Sequence, residues 1–326
     1  TCIIISVLIA EDGSVYHVPI HGTIDMGLPH FIQRVVDEAE ENKAKAIIFD
    51  IDTFGGRVDA ATQIKDIILD SKIPTIAFIN KRAISAGALI SLSCDSIFMT
   101  PGASIGAATA VDLKGNKASE KVISYMREEM ASTAEANNRS REIATSMVDE
   151  ELSIPYFLNI KGDTLTVKDV QGFSEGKLIT LSTNLAVQLG ISNKEIETYD
   201  DLLIYLNFAD AETIEVTETW SEVLVRFLTN PMVAPLFMSL GMLGLFMEIK
   251  SPGFGVPGIF GLICLGLFFG SHLLVGLADM TEMLILFAGI MLILLEILVI
   301  PGFGIAGISG ICLIFYSFFK MLIGTY

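Results

Sequence analysis

Charged residues are spread through the chain up to Trp220 and almost vanish beyond Arg226, and this break constrains the fold more than any motif. A long stretch with so few charges cannot form the surface of a water-exposed domain, so it is expected to lie in lipid. The apolar runs 232–247, 256–277, 283–300 and 305–323 each approach the roughly 20 residues that cross a bilayer, which predicts about four transmembrane helices. The rest of the 326 residues suffices for one domain ahead of them. The formal net charge of -17 lies almost wholly before the break, which excludes electrostatic attraction to nucleic acid or to anionic headgroups. The four cysteines, Cys2, Cys94, Cys264 and Cys312, have no CxxC spacing, so neither a disulfide framework nor a zinc site is expected.

Four segments are expected. Residues 1–10, TCIIISVLIA, resemble the trimmed end of a signal segment, the plainer alternative being a first buried strand. In 11–208, strand-like and helix-like runs alternate as in an α/β layer with parallel strands. KAIIFDID at 45–52 suits a buried parallel strand that ends on the Gly55-Gly56 turn, and 75–80 suits the next strand, followed by a turn that delivers Ser85. Small residues from Ser85 to Asp95 favour a closely packed helix, and 112–119 reads as a loop before a helix over 120–137. The acidic, Thr-rich 209–230 is expected as a linker, and 231–326 as the membrane domain. Inside the latter, LFMEIKSPGFGVPGIFGLICL from Leu245 resembles LLEILVIPGFGIAGISGICLI from Leu294 with one residue of offset, the mark of a duplicated unit. Glu248 and Glu296 stand at matching points of it, near helix ends where a structural role is favoured over a functional one.

Ala83-Ile84-Ser85-Ala86-Gly87 puts a serine between small residues at a change from strand to helix, a geometry related to the nucleophile elbow. Helix-start amides could face a developing oxyanion there. The plainer reading of Ser85 is an N-cap. Thr53-Phe54-Gly55-Gly56-Arg57-Val58 supplies paired glycines whose backbone amides could complete an oxyanion hole with that of Ala86, or simply a tight turn. Parallel strands one βαβ unit apart bring both turns to one sheet edge. Three of the four histidines, His17, His21 and His30, precede the glycine turn and the fourth, His272, lies among membrane residues. A Ser-His pairing through one of the first three stays open, but a desolvated lysine is the better base, drawn from Lys114, Lys117 and Lys121.

The run HGTIDMG, AIIFDIDTFGGRVDAATQI, SKIPTIAFINKRAISAGALISLSCDSIFMTPGASIGAA, with the duplicated PGFG region, resembles the NfeD family of membrane-bound serine proteases. That family belongs to the Clp protease and crotonase-like superfamily. The resemblance implies an α/β fold, a ClpP/crotonase-like spiral of ββα units, followed by an all-α transmembrane helical domain. It implies Ser85 as nucleophile, Lys121 as general base with Tyr125 four residues on, and Gly56 and Ala86 as oxyanion amides. Gly55, Arg57 and Val58 would line an extended substrate. Phe54 departs from the family's usual proline, and the OB-fold barrel of long members is not found in this sequence. The implied activity is that of a Ser-Lys serine endopeptidase needing no metal or cofactor, in a multi-pass membrane protein with its protease domain on the extracytoplasmic side. Expected partners are a peptide or protein with an apolar segment, a stomatin-like membrane protein, membrane lipid and further copies of the chain, with no nucleic acid. The rival readings are a non-catalytic scaffold for stomatin-like proteins and a signal-peptide-peptidase-like protease.

Overall fold

The computed structural model describes residues 13–111, 115–150, 156–158, 162–166, 177–249, 255–276, 280–298 and 304–323, so the apolar segment 1–10 lies outside the described residues. The chain divides into an α/β unit, Thr1–Thr217, and a helical unit, Glu218–Tyr326.

In the α/β unit the elements run β1 Val15–Ile24, α1 Leu28–Glu41, β2 Ala46–Gly56, α2 Val58–Leu69, β3 Thr75–Ile84, α3 Ala86–Ser93, β4 Ser96–Met99, β5 Ser104–Gly106, α4 Glu120–Ala136 and α5 Arg141–Ser146. They continue as β6 Tyr156–Leu158, β7 Thr164–Thr166, β8 Thr180–Ser182, α6 Thr183–Gln188, β9 Lys194–Glu195, α7 Tyr199–Tyr205 and β10 Thr213–Glu215. The main sheet has the order β10-β1-β2-β3-β4-β9, all parallel, and β5 continues the edge beside the end of β3 and pairs antiparallel with β8. The β-branched run of β2 is buried on both faces: Ile47, Ile48, Phe49 and Ile51 are all inaccessible, as a parallel strand between two layers requires.

Helix α1 buries Leu28, Phe31, Ile32, Val35, Val36 and Ala39, so its apolar face is closed within the chain. Strand β3 runs straight through the turn expected at 81–84, because Arg82, Ala83 and Ile84 pair with Ser104, Ile105 and Gly106 of β5. Nor is 209–230 only a linker: it holds β10, and then α8, Trp220–Thr229.

The helical unit comprises α8, then α9 Ala234–Ile249, α10 Val256–Leu274, α11 Met280–Leu298 and α12 Ile305–Ile323. These four last helices occupy the four expected apolar runs. Among the described residues α10 is long and apolar enough to cross a membrane by itself, a second span results if α8 and α9, bent by 77°, count as one, and Met283–Ile293 and Ile305–Ser317 are shorter apolar stretches. The duplication is visible in the contacts. In the pair α9 and α10 a Cβ on Gly261 would stand 2.8 Å from Gly241 O, and in the pair α11 and α12 a Cβ on Gly310 would stand 2.6 Å from Gly289 O, so each pair packs backbone to backbone through equivalent glycines.

The two acids repeat as well. Glu248 accepts from Gly255 N at 2.5 Å and from Gly258 N at 2.8 Å. Glu296, only 1% exposed, accepts from the equivalent Gly304 N and from Gly307 N, the latter at 3.3 Å. Each carboxylate satisfies orphan amides at the start of the next helix and meets the positive end of its dipole. In an apolar surround those amides would otherwise lack acceptors.

Candidate active site

Ser85 sits where β3 hands over to α3, at φ 56° and ψ -118°, a backbone state that glycine tolerates and other residues adopt at a cost of about 1–3 kcal/mol. Its N–H donates to Gly106 O at 2.9 Å, which fixes the turn to the exit of β5. It occupies the N-cap position of α3, yet its side chain makes no capping hydrogen bond. The caps at Ser140, Thr198 and Thr219 each accept from a backbone amide three residues on, whereas Ser119 and Ser182, like Ser85, make no capping bond, and of these three only Ser85 has a positive φ. The capping role thus fails to account for Ser85, whose half-exposed hydroxyl has no hydrogen-bond partner among the described residues.

The glycine turn is fitted against this serine. Gly55 has φ 106°, and a Cβ there would lie 2.5 Å from Ser85 Cβ and 3.0 Å from its Oγ, so only glycine admits the approach. Thr53 Oγ1 accepts from Gly55 N at 2.9 Å, while its methyl fills the space beneath Gly87, where an added Cβ would stand 2.5 Å away. Arg57 N donates to Ile24 O at 2.9 Å on the β1 side. The preceding Gly56 N–H therefore points to the opposite side of β2, where β3 leads to Ser85. Ala86, as first residue of α3, has an N–H with no intrahelical acceptor. Ser85, Gly56 and Ala86 thus lie at the same end of the neighbouring strands β2 and β3.

Helix α3 is buried along its whole length and is anchored at its far end by Arg139, a residue the sequence did not single out. Arg139 is 8% exposed and donates to Leu92 O at 3.0 Å, Cys94 O at 2.9 Å, Asp95 O at 3.1 Å and Ile191 O at 3.2 Å. Burial pushes its pKa below the usual value, an effect that Cys94 and Asp95 oppose. A cation on the last carbonyls complements the dipole of the helix whose first turn bears Ser85.

The lysines separate. Lys117 pairs with Glu150 at 3.3 Å, and Lys114 lies outside the described residues. Lys121, on the first turn of α4, is exposed and makes no hydrogen bond or ion pair among the described residues; it is not joined to Ser85, and Tyr125 beside it is 47% exposed. Its helix is nonetheless well seated. Lys65 of α2 meets Glu129 at 2.6 Å, Arg127 pairs with Asp149, and Ile123, Met126 and Met130 are buried.

Two of the histidines are committed elsewhere. His17 Nδ1 lies 2.6 Å from Glu215 Oε2, its Nε2 lies 3.7 Å from Asp50 Oδ2, and His21 Nε2 lies 3.4 Å from the same oxygen. Burial lowers the pKa of His17, but the Asp50 and Glu215 carboxylates outweigh it and the net shift is upward. His30 is exposed on α1. Of the expected substrate-lining residues, Arg57 forks onto Asp59 with Nε 3.0 Å from Oδ1, and Val58 opens α2 half-buried. Phe54 is 73% exposed with Arg82 stacked 4.5 Å from its ring centroid. No group of three or more metal-ligating side chains occurs among the described residues.

Residues 14–216 match the NfeD1b N-terminal domain, and residues 232–325 match the NfeD integral membrane domain. The sequence is 39% identical over 310 residues to Membrane protein NfeD1b of Bacillus subtilis, covering 95% of this chain and 67% of that one. It is 28% identical over 307 residues to Membrane-bound protease PH1510 of Pyrococcus horikoshii, covering 91% of this chain and 66% of that one. The chain thus spans about two thirds of the length of these relatives. Among solved structures, the 1510-N membrane-bound stomatin-specific protease, as a lysine-to-alanine mutant in complex with a substrate peptide, matches with a TM-score of 0.54 at 25% identity, over 68% of this chain and all of that one. The expected order, an α/β domain and then apolar helices, is the one found.

Proposed function

Since the chain belongs to the NfeD family of membrane proteins, we propose that it is a serine endopeptidase in which Ser85 is the nucleophile and Lys121 the general base. The observation that carries the reading is the setting of Ser85: a strained N-cap position whose hydroxyl does no capping, pressed against a glycine that admits no side chain. A neutral Lys121 amine takes the Ser85 Oγ proton as Oγ attacks a peptide carbonyl, and the Gly56 and Ala86 amides hold the resulting oxyanion. The protonated amine then gives its proton to the departing peptide amine, leaving an acyl-enzyme that water, deprotonated by the same lysine, hydrolyses.

Lys121 is exposed, so the dyad forms when a bound peptide folds it over Ser85 and removes it from water. The substrate is an apolar segment of a membrane-associated protein, lying extended beside the glycine turn, and a stomatin-like protein is the candidate the 1510-N protease suggests. The same reading puts the α/β unit on the extracytoplasmic side and includes assembly of several copies. The exposure of Lys121, with no contact to Ser85 among the described residues, favours one second reading, a scaffold that binds such partners without cleaving them. Purified full chain in lipid nanodiscs, given an apolar peptide, decides between them: cleavage that is lost in both Ser85→Ala and Lys121→Ala supports the protease, and peptide binding without cleavage supports the scaffold.

A further inference from the structure

Helix α8 presents an apolar stripe to its surroundings just before the chain enters the apolar helices. Trp220 is 80% exposed, Val223 51%, Leu224 40% and Phe227 53%, and their spacing of i, i+3, i+4 and i+7 puts all four on one face. Glu218, Glu222 and Arg226 recur every fourth residue on the opposite face, Arg226 paired with Glu218. The helix is firmly started by a capping box, in which Thr219 Oγ1 accepts from Glu222 N and Glu222 accepts from Thr219 N at 2.7 Å. Leu228 is buried, and Phe227 meets Phe237 of α9 edge to face at 6.4 Å between centroids, so α8 is fixed against its own unit and still leaves the stripe uncovered.

We infer that α8 is an in-plane membrane helix whose Trp220, Val223, Leu224 and Phe227 stripe lies in the headgroup boundary of the bilayer that α10 crosses. Orientation and continuity identify the occupant. Helix α9 runs antiparallel alongside α10, Gly241 facing Leu265 and Glu248 facing Gly258, so it follows the direction of the crossing helix. A bend of 77° between α8 and α9 then turns α8 nearly parallel to the membrane plane, at the end of the hairpin opposite the Glu248 cap. A tryptophan at the outer end of such a stripe suits an interface, where an amphipathic ring is best accommodated. The polar face has two acids and one arginine, so attraction to anionic lipid is not what holds it; burial of the stripe does, helped by the short tether to α9.

Trp220 is the only tryptophan in the chain, so its fluorescence reports this face without labels. The full chain is reconstituted into phosphatidylcholine vesicles, with and without phosphatidylglycerol, containing lipids brominated near the headgroup end or near the terminal methyl of the acyl chain. Expected are a blue-shifted emission, stronger loss with the shallow bromines than with the deep ones, little loss with aqueous acrylamide, and the same result in both lipid mixtures. Moving the tryptophan to 223 or 227 (Val223→Trp or Phe227→Trp with Trp220→Phe) should leave the depth unchanged. Three results each overturn the inference: free quenching by acrylamide without effect of bromine, which puts the stripe in water; protection from both quenchers, which means protein covers it; and a depth growing by roughly 10 Å from 220 to 227, which makes α8 the first half of a broken span.

Discussion

Three helix starts in this protein solve the same electrostatic problem in two ways. At α10 and α12, inside the apolar unit, Glu248 and Glu296 from the preceding helices occupy the N-terminal amides. At α3, Ser85 holds the cap position and its side chain makes no capping hydrogen bond. A filled helix start contributes stability and offers nothing to a ligand. An open one costs stability and remains available to a negative charge that forms only during a reaction. On the proposed reading the duplicated acids are structural parts and the serine a chemical one, although both kinds of residue stand out in the sequence as candidates.

The sharpest way to break this contrast is Ser85→Ala. It removes no hydrogen bond, so the fold should persist while peptide cleavage falls by roughly 10^4-fold or more; unchanged cleavage would reduce Ser85 to a turn residue. Lys121→Ala should cost roughly 10^2- to 10^4-fold in rate and leave the melting temperature where it was, since the side chain is exposed and has no partner among the described residues. Gly55→Ala places a methyl against Ser85 Cβ at a positive φ, and should lower stability by roughly 2–4 kcal/mol while displacing the nucleophile, read by denaturant unfolding and by cleavage. Turning to the filled starts, Glu296→Gln exchanges charge-assisted bonds for neutral ones and should destabilise the helical unit by roughly 1–3 kcal/mol, and Glu248→Gln by less, because Glu248 is the less buried; neither should alter kcat in protein that remains folded.

The smallest effect expected concerns the far edge of the sheet. His17 has its pKa raised by Asp50 and Glu215 despite burial, so its protonated form favours the folded state. That contribution is complete below the unfolded value of about 6.5 and fades as pH rises through the higher folded value. Thermal unfolding should show stability falling slightly across that window, and Glu215→Gln should flatten the slope. Asp50, His21 and Tyr199, which also face His17, stay in place in this variant.

The central strands, the glycine turn and the serine turn were legible in the sequence because buried β-branched runs and glycine pairs carry their own signal. Strand β10 was not: three residues, Thr213 to Glu215, form a strand only through pairing with β1 and the Glu215 contact with His17. Helix α8 carried a readable sign in Thr219-Trp220-Ser221-Glu222, a capping box overshadowed by the acidic, Thr-rich composition around it. Arg139 was invisible because its acceptors are backbone carbonyls brought together only by the fold. The exposure of Lys121 is likewise tertiary; spacing selects the residue and says nothing of its distance from Ser85.

The most direct test asks whether Ser85 forms a covalent bond. Intact and peptide-level mass spectrometry of the full chain, quenched during turnover of an apolar peptide ester, should show one acyl adduct on Ser85. It should be absent in Ser85→Ala and form far more slowly in Lys121→Ala. No adduct in protein that binds the peptide, or an adduct that survives Ser85→Ala, would contradict the assignment of the open helix start as a catalytic site.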